Sequence, residues 1–182
     1  MKLETDRLIL RPWEERDLEP LIAVQRDPVV RRYFPSVPTP EQIGEDLDRA
    51  MEKAQANGFH FGSARLKADD SFVGLLGIGV IPDDMREAIP SHPRVEIGWV
   101  LATRLWGQGL APEGARAWLD YAWSIGLPEV VAFTAAINRP SQRVMEKIGM
   151  RRADDFMHPR IEDGHRLRPH VVYRIVNPAS PQ

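Results

Sequence analysis

Residues 96–116 read Glu96-Ile-Gly-Trp-Val-Leu-Ala-Thr-Arg-Leu-Trp-Gly-Gln-Gly-Leu-Ala-Pro-Glu-Gly-Ala-Arg116. An apolar run of strand length passes through a loop with Gly107 and Gly109 and enters a helical pattern at Pro112. Such a loop is a potential anion site. Glycines bring no side chain that would hold a ligand off the backbone, and the first N–H groups of a helix have no intrahelical acceptor. Proline preorganises the first turn without removing a needed hydrogen bond. The bland alternative is a tight strand–helix connection that binds nothing. The loop is not a P-loop, since no Gly-Lys-Ser/Thr follows, and the glycine spacing is not that of a dinucleotide fingerprint.

Downstream, Ala115, Trp118, Leu119, Ala122 and Trp123 mark one face of a helix over 112–125, closed by Gly126 and Pro128. Residues 130–137 read as a buried strand, 141–148 as a short helix ended by Gly149, and 150–158 and 169–176 as two closing strands around a polar loop. Upstream, the composition of 95–101 suggests a strand buried on both faces, and 82–94, with three prolines, reads as an excursion without regular structure. Phe59 to Leu66 and Phe72 to Ile81 suggest a hairpin turned at Asp69-Asp70-Ser71. Ile43, Leu47, Ala50, Met51 and Ala54 fall on one face of a helix that opens at Thr39-Pro40 and stops at Asn57-Gly58. Before it, Leu8-Ile9-Leu10 predicts a first strand, and Asp17 caps or opens a helix that ends at Asp27-Pro28. Helices after central strands, with hairpins elsewhere, predict a mixed sheet in an α/β or α+β domain. Neither a repeat nor an interdomain linker interrupts the pattern, so residues 1–182 are expected to form one domain, with 178–182 as a flexible tail.

The 182 residues are 43% hydrophobic and 27% charged, with a net charge of −2 and no cysteine. A core large enough to fold without disulfides is expected, and acyl-cysteine chemistry and thiolate zinc sites are excluded. Basic residues are scattered, so nothing calls for nucleic acid. The start lacks an apolar leader and no later run is long enough to span a bilayer. A soluble cytoplasmic protein without a membrane partner is the expectation.

Arg104-x-x-Gly107-x-Gly109, followed by Leu110-Ala111, resembles the pyrophosphate-binding signature of the GNAT N-acetyltransferases. Asn138-Arg139-Pro140-Ser141 and Lys147-Ile148-Gly149-Met150 are similar to that family's Asn-x-x-Ser helix and its Lys-x-Gly-aromatic exit, with Met150 in place of the aromatic residue. Leu3-Glu-Thr-Asp-Arg-Leu-Ile-Leu-Arg-Pro-Trp13 is similar to the opening of the RimJ/RimL-like branch, which acetylates N-termini of ribosomal proteins. The resemblance spans nearly the whole chain. It implies a mixed, mostly antiparallel sheet of about six to seven strands with about four flanking helices and splayed central strands.

It also implies acetyl transfer from acetyl-coenzyme A to a primary amine by direct attack, with no metal. The acceptor is a protein N-terminus or a small-molecule amine; a silent acyl-coenzyme A binding or sensing module is the alternative. Homodimers are frequent among relatives, so a homodimer is admitted. Trp99, Val100 and Leu101 would pair with pantetheine through their backbone. Arg104, Trp106, Gly107, Gln108, Gly109, Leu110 and Ala111 would hold the pyrophosphate, and Asn138 the pantetheine arm. An N–H at or near Val100 would polarise the thioester carbonyl. Glu96 is the candidate base, its pKa raised by partial burial, or else an exposed or arginine-paired carboxylate. Ser141 is a candidate proton donor to the leaving thiolate, or a helix N-cap. Many members place a tyrosine where this chain has Met145. The loops at 27–40, 82–94 and 158–169 would wall the acceptor side, where Asp83, Asp84 and Glu87 either attract a cationic acceptor or are merely solvated. The five histidines show no metal-ligand spacing.

Overall fold

The computed structural model describes residues 1–180, with the side chains of all of these but 53–57. In chain order its elements are β1 (Leu3–Glu4), β2 (Leu8–Arg11), α1 (Leu18–Gln25), α2 (Pro28–Arg31), α3 (Pro40–Asn57), β3 (Phe61–Leu66), β4 (Phe72–Val80), α4 (Asp83–Ala88), β5 (Val95–Leu101), α5 (Leu110–Ser124), β6 (Glu129–Ala135), α6 (Arg139–Lys147), β7 (Arg151–Met157) and β8 (Pro169–Val176). The strands form a mixed, eight-stranded sheet in which the registered pairs are antiparallel except β5 with β6. No helix among the described residues is long and apolar enough to cross a membrane.

The chain divides into two compact units. One comprises Met1–Gly79 and Gly98–Trp118. Within it β1, β2, β3 and β4 lie side by side in chain order, each antiparallel to the next, with a register shift between Ala64 and Arg65. Alternation sends Leu8 and Leu10 inward on β2, at 0% and 1% exposure. The start of α5 lies close above them, because a Cβ on Gly114 would come within 2.8 Å of Leu76 and 3.2 Å of Leu8. Buried Leu110, Ala115 and Trp118 complete that layer. On α3, Ile43 and Leu47 are buried, whereas Met51 is 40% exposed; Ala54 lies outside the described side chains.

The other unit comprises Val80–Ile97 and Leu119–Gln182. There β6 pairs with β8 over seven registered positions, from Glu129↔Val176 to Ala135↔His170, and β8 pairs in turn with β7. Ile81, Met85, Ile89, Val131, Phe156 and Val172 form its buried cluster.

Two expectations are corrected. The 82–94 excursion holds a helix, α4, opened by Asp83 and Asp84 and anchored by buried Met85 and Ile89. Its apolar signal is a single i, i+4 pair, which the surrounding prolines mask. Nor is β5 buried on both faces: Glu96, Gly98, Trp99 and Val100 all keep partial exposure. The helix expected from Pro112 begins at Leu110. The expected tail includes residues 181–182, which lie outside those described.

Candidate active site

In the first unit, β5 ends in a 3-10 turn, Thr103–Leu105, and the glycine loop follows. The turn is tied down by side chains. Thr103 Oγ1 donates to Asp27 at 3.0 Å, Arg104 Nη2 donates to the Phe72 carbonyl at 2.8 Å, and the Trp106 indole N–H donates to the Leu101 carbonyl at 2.8 Å. The Arg32 guanidinium stands 5.4 Å from the centroid of the Trp106 ring. Gly107 and Gly109 both have φ +77, a left-handed conformation that disfavours a Cβ. Space is not the constraint there: nothing approaches a Cβ on Gly107, and only Arg7 Nη2, at 3.6 Å, approaches one on Gly109.

Residues 106–109 are exposed while Leu110 is buried. The N–H groups of Gly107, Gln108, Gly109, Leu110 and Ala111 have no acceptor among the described residues. A run of unmatched donors at the start of a fifteen-residue helix is chemically an anion cradle. Of the residues expected to hold pyrophosphate, Arg104 stands apart, since one of its guanidinium nitrogens is occupied by Phe72.

In the second unit, Glu96 pairs with Val131 in the parallel register and so shares a sheet face with a member of the buried cluster. Glu96 as a residue keeps partial exposure. The surrounding protein nevertheless pushes its pKa up to about 7; burial is the cause, and the positive charge of Arg160 opposes it. Arg160 is held by Asp84 through two bonds of 2.7 Å. Asp84 is thus neither a free attractor of cations nor merely solvated, and its carboxyl is held below the usual range by Arg160. Ser91 Oγ donates to Asp154 at 2.5 Å, a second tether between the 82–94 excursion and the β7 side of the unit.

Asn138 and Ser141 lie together at the start of α6. Asn138 is the N-cap: its Oδ1 accepts the Ser141 N–H at 3.3 Å, and its Nδ2 donates to Thr134 at 2.8 Å and Ser141 Oγ at 3.2 Å. The cap is therefore Asn138, with Ser141 as the residue capped, because Pro140 fixes the first turn one residue after Arg139. Ser141 remains partly exposed, while Met145 is 2% exposed and packed inside.

Sequence reasoning missed Arg160, which lies 76 residues from Asp84 and carries no local signal. It missed also a ring cluster in which His158 and His170 stand 4.8 Å apart, with Phe156 5.4 Å from His170. Burial lowers the pKa of both imidazoles, that of His170 to about 4. No group of three or more potential metal ligands occurs among the described residues.

Residues 7–151 match the acetyltransferase (GNAT) domain family. Over 151 residues the chain is 34% identical to YkkB, an uncharacterized protein of Bacillus subtilis, covering 82% of this chain and 84% of that one. Among solved structures it resembles a GNAT-family acetyltransferase from Bacillus anthracis, with a TM-score of 0.78 at 27% identity, covering 97% of this chain and 99% of that one. RimL, a ribosomal L7/L12 alpha-N-protein acetyltransferase solved with coenzyme A, gives a TM-score of 0.78 at 14% identity over 99% of this chain and 100% of that one. That likeness establishes a common fold and no closer tie.

Proposed function

The chain belongs to the acetyltransferase (GNAT) domain family, and from that premise we propose that it transfers an acetyl group from acetyl-coenzyme A to a primary amine, with Glu96 as the base. The observation that carries the reading is the raised pKa of Glu96 on a partly open strand, next in sequence to the backbone that would meet the donor. The span of the family match, 7–151, supports treating residues 1–182 as one catalytic domain.

An alkyl ammonium has no lone pair and must lose a proton before it can attack. A carboxylate with a pKa of about 7 takes that proton at neutral pH far better than an ordinary glutamate. The amine nitrogen then forms a bond to the thioester carbonyl carbon, and charge develops on the carbonyl oxygen. An N–H at or near Val100 faces that charge. Collapse breaks the carbon–sulfur bond, and the departing thiolate takes a proton from Ser141 or from water. Gly107, Gln108, Gly109, Leu110 and Ala111 hold the pyrophosphate by their N–H groups. Trp106 flanks it, and Arg104 anchors the loop through Phe72. Backbone groups of Trp99, Val100 and Leu101, beyond the single registered β5–β6 position at Glu96, meet pantetheine. Asn138 fixes Ser141 through the α6 cap and offers the second lone pair of its Oδ1 to the pantetheine arm. The acceptor is a protein N-terminus of the kind used by RimL or a small-molecule amine.

The second reading, a silent acyl-coenzyme A binding module, is favoured by buried Met145 in place of a tyrosine acid. Calorimetric titration with acetyl-coenzyme A, followed by release of free coenzyme A with a panel of amines and N-terminal peptides, separates the two. Turnover in wild type and its loss in a Glu96→Gln variant that still binds establishes the enzyme. Binding without turnover across the panel favours the module, and absence of binding removes both.

A further inference from the structure

The opening segment Thr5-Asp6-Arg7 carries no role in the mechanism above, yet it reaches the glycine loop. Arg7 Nη1 donates to the Gln108 carbonyl at 2.9 Å. The rest of its guanidinium engages Glu113, in the first turn of α5, with Nε–Oε2 at 2.7 Å and Nη2–Oε2 at 2.5 Å. Thr5 Oγ1 and the Arg7 backbone N–H both donate to the other oxygen, Oε1, at 2.6 and 2.9 Å.

We propose that Arg7 is a positioning residue for the pyrophosphate loop, fixing the Gln108–Gly109 peptide so that its N–H points at the bound anion and cancelling the charge of Glu113 beside it. The proposal rests on the donor-binding reading above. A trans peptide is planar, with its C=O and N–H on opposite sides. A guanidinium that holds the Gln108 oxygen on the strand side therefore turns the Gly109 N–H the other way. That choice has to be imposed, because Gly107 and Gly109 leave the loop free to turn its peptides in either direction. Glu113 creates the second need. A carboxylate in the first turn suits the helix dipole, but it repels a pyrophosphate at the same helix end. Arg7 and Thr5 occupy both its oxygens and leave the dipole to the ligand.

The test compares a donor that carries the pyrophosphate with one that does not: acetyl-coenzyme A and acetyl-pantetheine, which lacks the pyrophosphate together with the 3′-phosphoadenosine beyond it. In Arg7→Met, which keeps the stem and removes the charge, the KM and calorimetric Kd for acetyl-coenzyme A should rise about tenfold or more, the size expected for losing a charge-assisted hydrogen bond. The kcat at saturation should hold, and the kinetics with acetyl-pantetheine should not change. Arg7→Lys should recover part of the loss, and adding Glu113→Gln to Arg7→Met should recover part by removing the unpaired carboxylate. Equal weakening of both donors would show a merely structural role and overturn the proposal, as would unchanged acetyl-coenzyme A binding in Arg7→Met. If wild type binds no acetyl-coenzyme A, the donor reading falls and this inference falls with it. If wild type binds and Arg7→Met binds as tightly, only this inference falls.

Discussion

The Asp84 carboxylate grips the Arg160 guanidinium through two hydrogen bonds of 2.7 Å, and Arg160 is the cation that restrains the rise in the Glu96 pKa. The pair is about half exposed, so it contributes little to stability, and its effect is felt at the base instead. The two partners should act in opposite directions. Arg160→Gln removes the restraint, raises the Glu96 pKa and moves the acid limb of the kcat/KM profile to higher pH. Asp84→Asn leaves the Arg160 charge uncompensated, lowers the Glu96 pKa and moves the limb to lower pH. Salt should shrink both shifts. Profiles that move together, or not at all, would show that Arg160 does not act on the group that titrates.

Glu96→Gln should trade activity for stability. Loss of the base lowers kcat by about a hundredfold to ten-thousandfold while acetyl-coenzyme A still binds. Wild-type Glu96 has a folded pKa of about 7 against an ordinary 4.5. The folded state therefore favours the protonated form, whose stabilising contribution is complete below the unfolded pKa and is lost as pH rises through 7. Each pKa unit is worth about 1.4 kcal/mol, so the loss at pH 8 is of order 3 kcal/mol. The amide avoids it. Thermal melts should place the variant above wild type at pH 8, with the gap closing toward pH 4.5. A variant less stable than wild type at pH 8 would mean that the ionised carboxylate is well solvated.

Local pattern carried the reading far where structure is local. The order of the long elements, the glycine loop and the strand bearing Glu96 all follow from period, punctuation and turn chemistry within a few residues. The short elements were illegible: β1 has two residues, and α2 has four, opening on the very Pro28 that sequence reads as a stop. At the site, sequence finds Glu96 because a lone carboxylate in an apolar strand is conspicuous. It cannot find what modulates Glu96, because Asp84 and Arg160 are ordinary loop charges until the chain folds. Ser141 shows the same limit in miniature: an Asn and a Ser three residues apart can each cap, and only the backbone around Pro140 decides for Asn138.

His170 should oppose Glu96 in the pH dependence of stability. It is buried against Phe156 and His158, and its pKa falls from 6.5 to about 4, chiefly through burial. A base with a depressed folded pKa contributes stability that is fully present above 6.5 and is lost as pH falls toward 4, about 3 kcal/mol in all. Glu96 contributes in the opposite sense over nearly the same window, so the wild-type curve should be flatter than either group alone would make it. His170→Phe keeps a ring and removes the titration. Urea midpoints should then climb as pH falls from 7 toward 4.5, the slope that Glu96 alone imposes. An unchanged profile would mean that the imidazole already titrates normally in the fold.

Asp17, read from sequence as capping or opening a helix, stands at the N-cap position of α1 without a side-chain cap bond, and its carboxylate holds a buried ionic junction in the first unit. Its oxygens accept from Arg11 Nη1 at 2.7 Å, Arg11 Nη2 at 3.0 Å, Arg65 Nη1 at 2.8 Å and the Glu14 N–H at 3.0 Å. Burial by itself would raise its pKa, but the Arg11 guanidinium and the Glu14 N–H outweigh burial and hold it below the usual aspartate value. Its contribution is thus present above the unfolded pKa and lost as pH falls through the folded one. Arg11 is itself 7% exposed, so Asp17→Ala leaves its guanidinium with only the half-exposed Glu14 carboxylate, 3.2 Å from its Nε, as counter-ion. That should cost about 3–5 kcal/mol, read as a lower urea midpoint at unchanged slope. Asp17→Asn, which keeps an acceptor for one guanidinium, should cost less. Arg11→Met paired with Asp17→Leu removes both charges and should recover much of the loss, since a buried pair is costly chiefly when only one partner is taken away. A double variant as unstable as Asp17→Ala would place the cost in packing or in the Glu14 turn rather than in the stranded charge.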